Sequence, residues 1–268
     1  MKDPVLDRLL DGRTAILERL RELVRQPSVS TDPAYREGMV GAREILLARL
    51  RGAGFQQVRT LEAGGHPAVY GEWCQAPGRP TLLVYGHYDV QPPDPLDRWH
   101  SPPFAPEVRD GRLYGRGASD DKGPLSIAVE ILTAFLAVEQ RLPVNVKLLI
   151  EGEEEVGSAT LADIFVKYRE LLAADAVLSA DGARWRADLP TVTVGCRGDV
   201  GMEFRIQSAA KDLHSGRYGG AVANALHELA GLLASLHDAD GAVAVADFYA
   251  GVAEPGAGER ARLAAIPF

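Results

Sequence analysis

An apolar run that ends in a histidine and a carboxylate constrains this chain more than any other feature. The run spans residues 82–90, LLVYGHYDV, and has the length and composition of a buried strand. Side chains two residues apart on an extended chain point the same way, so His87 and Asp89 face one site. A metal-ligating imidazole needs an acceptor on its other nitrogen. The pair therefore predicts a metal ligand, His87, and a carboxylate that orients it, Asp89.

The composition excludes several functional classes. The chain has 268 residues, 46% of them hydrophobic, and a formal charge of −8, which argues against a nucleic-acid binder. Cys74 and Cys196 have no spacing typical of a disulfide scaffold or a zinc finger. The N-terminus lacks the apolar segment of a signal peptide, and no apolar run approaches the ~20 residues of a membrane span. We expect a soluble, cytoplasmic protein with no nucleic-acid or membrane partner.

Apolar runs alternating with amphipathic segments predict an α/β fold, with a mixed, largely parallel sheet flanked by helices. The strands are expected near 56–61, 67–73, 80–86, 144–150, 176–179 and 191–194. The helices are expected over 5–25, from the Thr31-Asp32-Pro33 start to the Gly52/Gly54 stop, over 124–137 and over 158–172. The third of them is expected to be buried because it is apolar nearly all round. Residues 91–118, rich in proline and glycine, are expected to form a loop.

The pattern of alternating strands and helices changes near Gly195. A strand over 198–207, a glycine-rich loop and a helix over 221–237 are expected there. We therefore predict one domain over 1–194 and the start of a second, incomplete domain over 195–268.

A second motif, GRGASDDKG at 115–123, places Asp120 in a glycine-rich turn before a helix that Pro124 is expected to open. A carboxylate held at a helix N-terminus can bridge two cations. The alternative is ordinary helix capping, for which Asp121 is the obvious residue.

A third motif, EGEEEVGS at 151–158, follows the apolar strand at 144–150. Adjacent carboxylates repel one another unless a cation is present. Neighbouring side chains point to opposite sides, so one of Glu154 and Glu155 can bind metal while the other acts as general base. The alternative is a solvated acidic loop.

Two further candidates lie downstream. Asp181 follows a short apolar strand and is a candidate site residue, with simple turn chemistry as the alternative. His214, in KDLHSG at 211–216, is a candidate whose alternative is a solvated loop histidine. Of the remaining histidines, His66 and His100 are expected in loops. His227 and His237 are expected on the last helix, at the surface or in core packing.

Together, these motifs resemble the aminoacylase/carnosinase metallopeptidase family, which also contains glutamate carboxypeptidases and a desuccinylase. The EGEEEVGS and DLHSG forms are most similar to its dipeptidase branch. The resemblance implies a zinc-peptidase-like catalytic domain over 1–194 and an inserted α+β lid and dimerisation domain that begins at 195.

The resemblance also implies the roles of the site residues. It implies two divalent metal ions, zinc with manganese or cobalt as alternatives, held by His87, Asp120, Glu155 and Asp181. Asp120 bridges the metals, Asp181 binds beside the metal of His87, and Glu155 binds the other. Three further residues have catalytic roles: Asp89 orients His87, Glu154 is the general base, and His214 reaches into the partner's site of a homodimer.

We therefore expect a metal-dependent hydrolase of dipeptides or similar amides. The alternatives are an amidohydrolase of N-acyl amino acids, and a metal-binding or dimerisation module without catalysis. The family completes its site with a later histidine that these residues do not include, so we expect a C-terminally truncated chain.

Overall fold

The computed structural model describes residues 3–182, 185–186, 188–196 and 198–267, in two compact units that divide between Val194 and Gly195. The first unit is a sheet flanked by helices. Its strands are β1 (Gln56–Leu61), β2 (Ala68–Trp73), β3 (Thr81–His87), β4 (Glu107–Arg109), β5 (Arg112–Tyr114), β6 (Asn145–Glu151) and β7 (Ala176–Ser179). Its helices are α1 (Pro4–Asp11), α2 (Arg13–Val24), α3 (Arg36–Gly52), α4 (Lys122–Glu139), α5 (Leu161–Lys167) and α6 (Arg169–Leu172).

The main sheet has the strand order β1-β2-β6-β3-β7. Strand β2 is antiparallel to β1 and β6, whereas β3 is parallel to both β6 and β7. The mixed α/β sheet predicted from the sequence is confirmed. Because β3, β6 and β7 run the same way, their carboxyl ends meet at one edge, where His87 is in register with Glu151.

The core forms where apolar faces of the helices cover this sheet. Strand β6 is almost fully buried, as expected for a central strand that is covered on both faces. The main cluster joins α3, α4, β2, β3 and β6; it includes Met39, Leu46, Leu50, Val69, Val84, Leu125, Val129, Leu148 and Ile150. Apolar burial of this kind contributes about 25 cal/mol per Å² and holds the edge of the sheet in place.

Three helix predictions need correction. The helix expected over 158–172 begins at Leu161 and is the two short helices α5 and α6, with Tyr168 between them. The helix expected over 5–25 is two helices, because Gly12 ends α1 and precedes α2. Helix α4 begins at Lys122 rather than at Pro124 and is not buried all round, since Ile127 is 56% exposed. The apolar pattern located α4 but did not reveal that one face lies open.

The segment 91–118 is less irregular than expected. Strands β4 and β5 form an antiparallel hairpin with Arg109 opposite Arg112. Asp110 and Gly111 join them with positive φ angles of 50° and 73°, as the tight turn of a two-residue hairpin requires. The Asp-Gly dipeptide is the signal that the loop prediction overlooked.

The second unit contains α7 (Ser215–Tyr218), α8 (Ala225–Ser235) and α9 (Ala257–Ala264). Helix α8 confirms the helix expected over 221–237, although it is shorter. The strands expected over 191–194 and 198–207 are wrong, since the described residues there form no strand. None of the helices that the structure describes combines the length and apolar character required to span a membrane.

Helix α3 offers a matched test of close packing. A Cβ at Gly38 would overlap the carbonyl of Pro27, whereas a Cβ at Gly52 on the same helix meets nothing within 4 Å. We expect Gly38→Ala to lower the free energy of unfolding by about 1–3 kcal/mol, because overpacking forces backbone shifts. Gly52→Ala should raise it by about 1 kcal/mol at most. Urea unfolding measures both, and equal midpoints would contradict this packing.

Candidate metal centre

The candidate site lies at the carboxyl edge of β3, β6 and β7. His87 is the last residue of β3, and Asp181 lies just beyond β7. Asp120 comes from the loop before α4, next to a cis peptide bond that joins it to Asp121. Three segments distant in sequence thus deliver side chains to one edge of the sheet, where α/β proteins bind their ligands.

Three of the predicted ligands lie close together. The Nε2 atom of His87 is 3.1 Å from Oδ1 of Asp120 and 3.8 Å from Oδ2 of Asp181. The candidate ligand atoms of these residues all lie within 4.8 Å of one another. The His87 ring is buried, whereas the Asp120 side chain is 67% exposed, so the group is open on one side. One imidazole nitrogen and two carboxylates suit a divalent ion such as zinc.

No arginine or lysine of the described residues pairs with the carboxylates around His87. Asp120, Asp181 and Glu154 have His87 as their ion-pair partner, with Oε2 of Glu154 4.0 Å from Nε2. Like charges this close disfavour one another unless a cation lies between them. The charge balance of the site therefore fits a bound cation.

Asp89 is fully buried and contacts both the His87 ring and the backbone of Glu154 and Glu155. Its Oδ1 atom is 3.4 Å from Nδ1 of His87, and its backbone carbonyl is closer, at 3.1 Å. The carboxylate also accepts hydrogen bonds from the backbone N–H groups of Glu154 and Glu155, at 3.3 and 3.1 Å. The hydroxyl of Ser30 donates to Oδ2 at 2.7 Å. Asp89 therefore contacts His87, as predicted. It also binds the backbone of the turn over residues 153–155, which we name the glutamate turn.

Glu154 and Glu155 have different surroundings. The Glu154 carboxylate faces His87. The Glu155 carboxylate accepts hydrogen bonds from the backbone N–H and the side-chain Nε2 of Gln91, at 3.2 and 2.9 Å. Glu155 therefore lies outside the group formed by His87, Asp120 and Asp181. No sequence motif pointed to Gln91, because its contact with Glu155 depends on how two distant loops meet.

The acidic setting shifts three pKa values. Burial works against protonation of His87, but Asp89, Asp121 and Asp181 outweigh it and raise the pKa of His87 to about 10. Burial raises the pKa of Asp121 to about 7, although the His87 N–H and ring oppose this. Burial also raises the pKa of Glu154 against the opposing effect of His87, and the carboxylates of Asp181, Glu155 and Asp120 raise it further. A raised pKa is what a general base at neutral pH needs.

Neither alternative to the metal motifs describes this site well. Asp121 occupies the N-cap position of α4, but its side chain makes no capping bond and instead accepts the N–H of His87 at 3.1 Å. Its other oxygen, Oδ1, is buried without a partner among the described residues. The acidic run is not a solvated loop either, because Glu151 and Glu153 are 3% and 8% exposed.

Several buried polar residues behind the site were not expected. The hydroxyls of Tyr85 and Ser158 donate to Oε1 of Glu151, at 2.5 and 2.9 Å. Glu153 accepts the N–H of His66 at 3.1 Å, so His66 is part of this network rather than a plain surface residue. No spacing rule predicts such contacts, because each joins residues from separate elements.

His214 belongs to the second unit. It precedes the short helix α7, and its Nδ1 atom accepts the N–H of Gly216 at 3.0 Å. Its predicted action on a partner's site remains a proposal.

Comparison with known proteins gives the site its context. The model of Peptidase family M20/M25/M40 matches residues 83–259. The chain is 32% identical to Cys-Gly metallodipeptidase DUG1 of Candida albicans over 262 residues, which are 92% of this chain and 54% of that protein. It is 37% identical to human Beta-Ala-His dipeptidase over 185 residues, 68% of this chain and 36% of that protein.

The chain belongs to Peptidase family M20/M25/M40. Solved structures agree with this assignment. The di-peptidase Dug1p from Saccharomyces cerevisiae matches with a TM-score of 0.76 and 28% identity, covering 99% of this chain and 58% of that one. Human carnosine dipeptidase 1 matches with a TM-score of 0.73 and 27% identity, covering 98% and 58%. This member of Peptidase family M20/M25/M40 thus spans between 36% and 58% of the length of these relatives.

The raised pKa of Asp121 predicts a pH-dependent stability. In the unfolded chain this carboxyl loses its proton near pH 4, but in the folded chain only near pH 7. The folded state therefore holds the extra proton between these values, and raising the pH across this window lowers the stability of the metal-free protein. Asp121→Asn has no carboxyl to titrate at this position, so its stability does not fall in this way. The free energy of unfolding of the variant minus that of wild type should therefore increase from pH 4 to 7, by about 4 kcal/mol at most.

Urea unfolding in a chelator at pH 5 and pH 8 measures this difference. The exposed aspartate of α5, Asp163, supplies the control variant Asp163→Asn. A difference between Asp121→Asn and wild type that is the same at both pH values would contradict the prediction.

Proposed function

We propose that this chain carries the metal-binding part of a hydrolase that cleaves dipeptides or similar amides, using a water activated by two metal ions. The observation that supports it is the group of His87, Asp120 and Asp181 at the carboxyl edge of the sheet, for which the described part of the chain offers no cationic partner other than His87. Similarity to a Cys-Gly metallodipeptidase and to Beta-Ala-His dipeptidases supports the substrate class.

The proximity of His87, Asp120 and Asp181 supports these three as ligands, and Glu155 is proposed as a ligand from the resemblance of its motif to the family. His87 and Asp181 would hold one ion, Glu155 would hold the other, and Asp120 would be a ligand of both. A bound zinc ion would lower the pKa of a water and polarise the substrate carbonyl. Manganese and cobalt are alternatives that share these ligand types.

The remaining roles belong to side chains around the ligands. Asp89 would keep the His87 ring in place through Nδ1, leaving Nε2 directed at the metal. Glu154 would take a proton from the attacking water and pass it to the leaving amine, for which its raised pKa is suited. His214 would stabilise the oxyanion in a partner's site, within a homodimer formed through residues 195–268.

Two other functions remain as alternatives. An amidohydrolase acting on N-acyl amino acids would use the same residues with a different substrate pocket. A metal-binding or dimerisation module would bind zinc without hydrolysis. Similarity to dipeptidases favours the first proposal over both. We also propose a cytoplasmic location and no nucleic-acid or membrane partner, in keeping with the acidic composition.

The two adjacent glutamates provide the test. Glu154→Gln should keep zinc affinity within about threefold of wild type but reduce hydrolysis at least about 100-fold, because the proton acceptor is lost. Glu155→Gln should instead weaken zinc binding, because a ligand is lost. Isothermal titration measures zinc binding, and a panel of Cys-Gly, β-Ala-His and N-acyl amino acids measures hydrolysis.

Each outcome has a distinct meaning. Zinc binding that His87→Ala leaves unchanged would contradict the site. Zinc binding with no hydrolysis by wild type would favour the non-catalytic module, and hydrolysis of only N-acyl amino acids would favour the amidohydrolase. Glu139→Gln, at the end of α4, is the control for removing one carboxylate elsewhere.

A further inference from the structure

The segment of residues 26–30, between α2 and α3, lies beside the chain that follows β3; we name it the strap. Its Ser28 carbonyl accepts the N–H of Val90 at 2.9 Å, and Val29 pairs with Val90 in a parallel bridge. The Gln26 carbonyl accepts a hydrogen bond from Nζ of Lys122 at 2.7 Å. The strap is therefore bonded both to the strand exit that carries Asp89 and to the start of α4.

Two serines of the strap have hydroxyls directed at this strand exit. The Ser30 hydroxyl donates to Oδ2 of Asp89 at 2.7 Å. The Ser28 hydroxyl donates to the backbone carbonyl of Tyr88 at 2.6 Å. The first bond reaches a charged group that contacts His87 and the glutamate turn, whereas the second reaches only the backbone.

The Ser30 bond matters because Asp89 is fully buried. A buried carboxylate that loses a donor has no water to replace it, and hydrogen bonds to charged groups are the stronger ones. Oδ2 receives both the Ser30 hydroxyl and the N–H of Glu155, so both donors fix one oxygen. The other oxygen, Oδ1, lies near Nδ1 of His87.

A second contact reinforces this placement. The Ser30 carbonyl lies 3.2 Å from Nε2 of His66. The backbone N–H of His66 donates to Oε1 of Glu153 at 3.1 Å. Ser30 thus connects with the glutamate turn on two sides, through Asp89 and through His66.

We propose that Ser30 is a positioning residue: its hydroxyl fixes the Asp89 carboxylate, and through it both the His87 ring and the Glu154–Glu155 turn. The inference rests on the proposed function, because it concerns zinc binding by His87. Ser30 acts through Asp89 and does not itself touch the metal.

The test compares Ser30→Ala with Ser28→Ala in the whole chain. Each variant removes one hydroxyl from the same strap, so general loosening of the strap affects both. We expect Ser30→Ala to weaken zinc binding about tenfold, the lower end of the range for residues that support metal ligands. Ser28→Ala should stay within about twofold of wild type, even if its unfolding midpoint falls. Ser30→Thr keeps the hydroxyl and should restore most of the affinity.

A second readout needs no metal. In amide NMR spectra of the metal-free protein, Ser30→Ala should shift the Glu155 N–H signal more than Ser28→Ala does, because only Ser30 shares its acceptor oxygen. Equal zinc affinities and equal Glu155 shifts in the two variants would overturn the role of Ser30 alone. If wild type bound no zinc, the proposed function would fail and the inference with it.

Discussion

The buried carboxylate of Asp89 is the interaction on which the site depends. Removing a charged group from water costs several kcal/mol unless donors replace the lost hydration. In this chain the donors are the Ser30 hydroxyl and the N–H groups of Glu154 and Glu155. Each comes from a segment far from Asp89 in sequence. One carboxylate therefore links the strand exit, the strap and the glutamate turn.

The same edge of the sheet concentrates negative charge. Hydrogen-bond donors stabilise some of its carboxylates, and a positive charge stabilises the others. The inner carboxylates, Glu151 and Glu153, are satisfied by neutral donors such as Tyr85 and Thr160. The outer carboxylates of Asp120 and Asp181 face Nε2 of His87. Burial opposes protonation of this imidazole, but Asp89, together with Asp121 and Asp181, outweighs it and raises the pKa. A proton on His87 and a metal ion are two ways to supply the positive charge. Metal binding should therefore release a proton.

The sequence predicted the parts of the fold that depend on local pattern. The apolar runs located β3, β6 and β7, and parallel pairing then placed His87 and Asp181 at one edge. The break at Gly12 and the Asp110-Gly111 hairpin left local signals that were overlooked. The strand expected over 198–207 fails for another reason. Strand formation depends on pairing, and the residues described in the second unit form no other strand for it to pair with.

Contacts between distant loops account for the rest. Asp89 was expected to orient His87, but its bonds to the glutamate turn depend on a meeting of residues 65 positions apart. Gln91 and Ser30 belong to none of the motifs, because the role of an amide or a hydroxyl depends on which partner it meets in the fold. Conversely, the position of Asp181 followed from its place directly after a predicted parallel strand. Strand ends are thus predictable, whereas the residues that support them are not.

Replacing Asp89 tests the central claim most directly. Asp89→Asn keeps the size of the side chain but removes its charge and one acceptor oxygen. If Asp89 positions both the His87 ring and the glutamate turn, zinc affinity measured by isothermal titration should fall at least about tenfold. The amide hydrogens of Glu154 and Glu155 should also exchange faster with solvent in the metal-free protein. Zinc affinity within twofold of wild type, with unchanged exchange at both amides, would contradict the account.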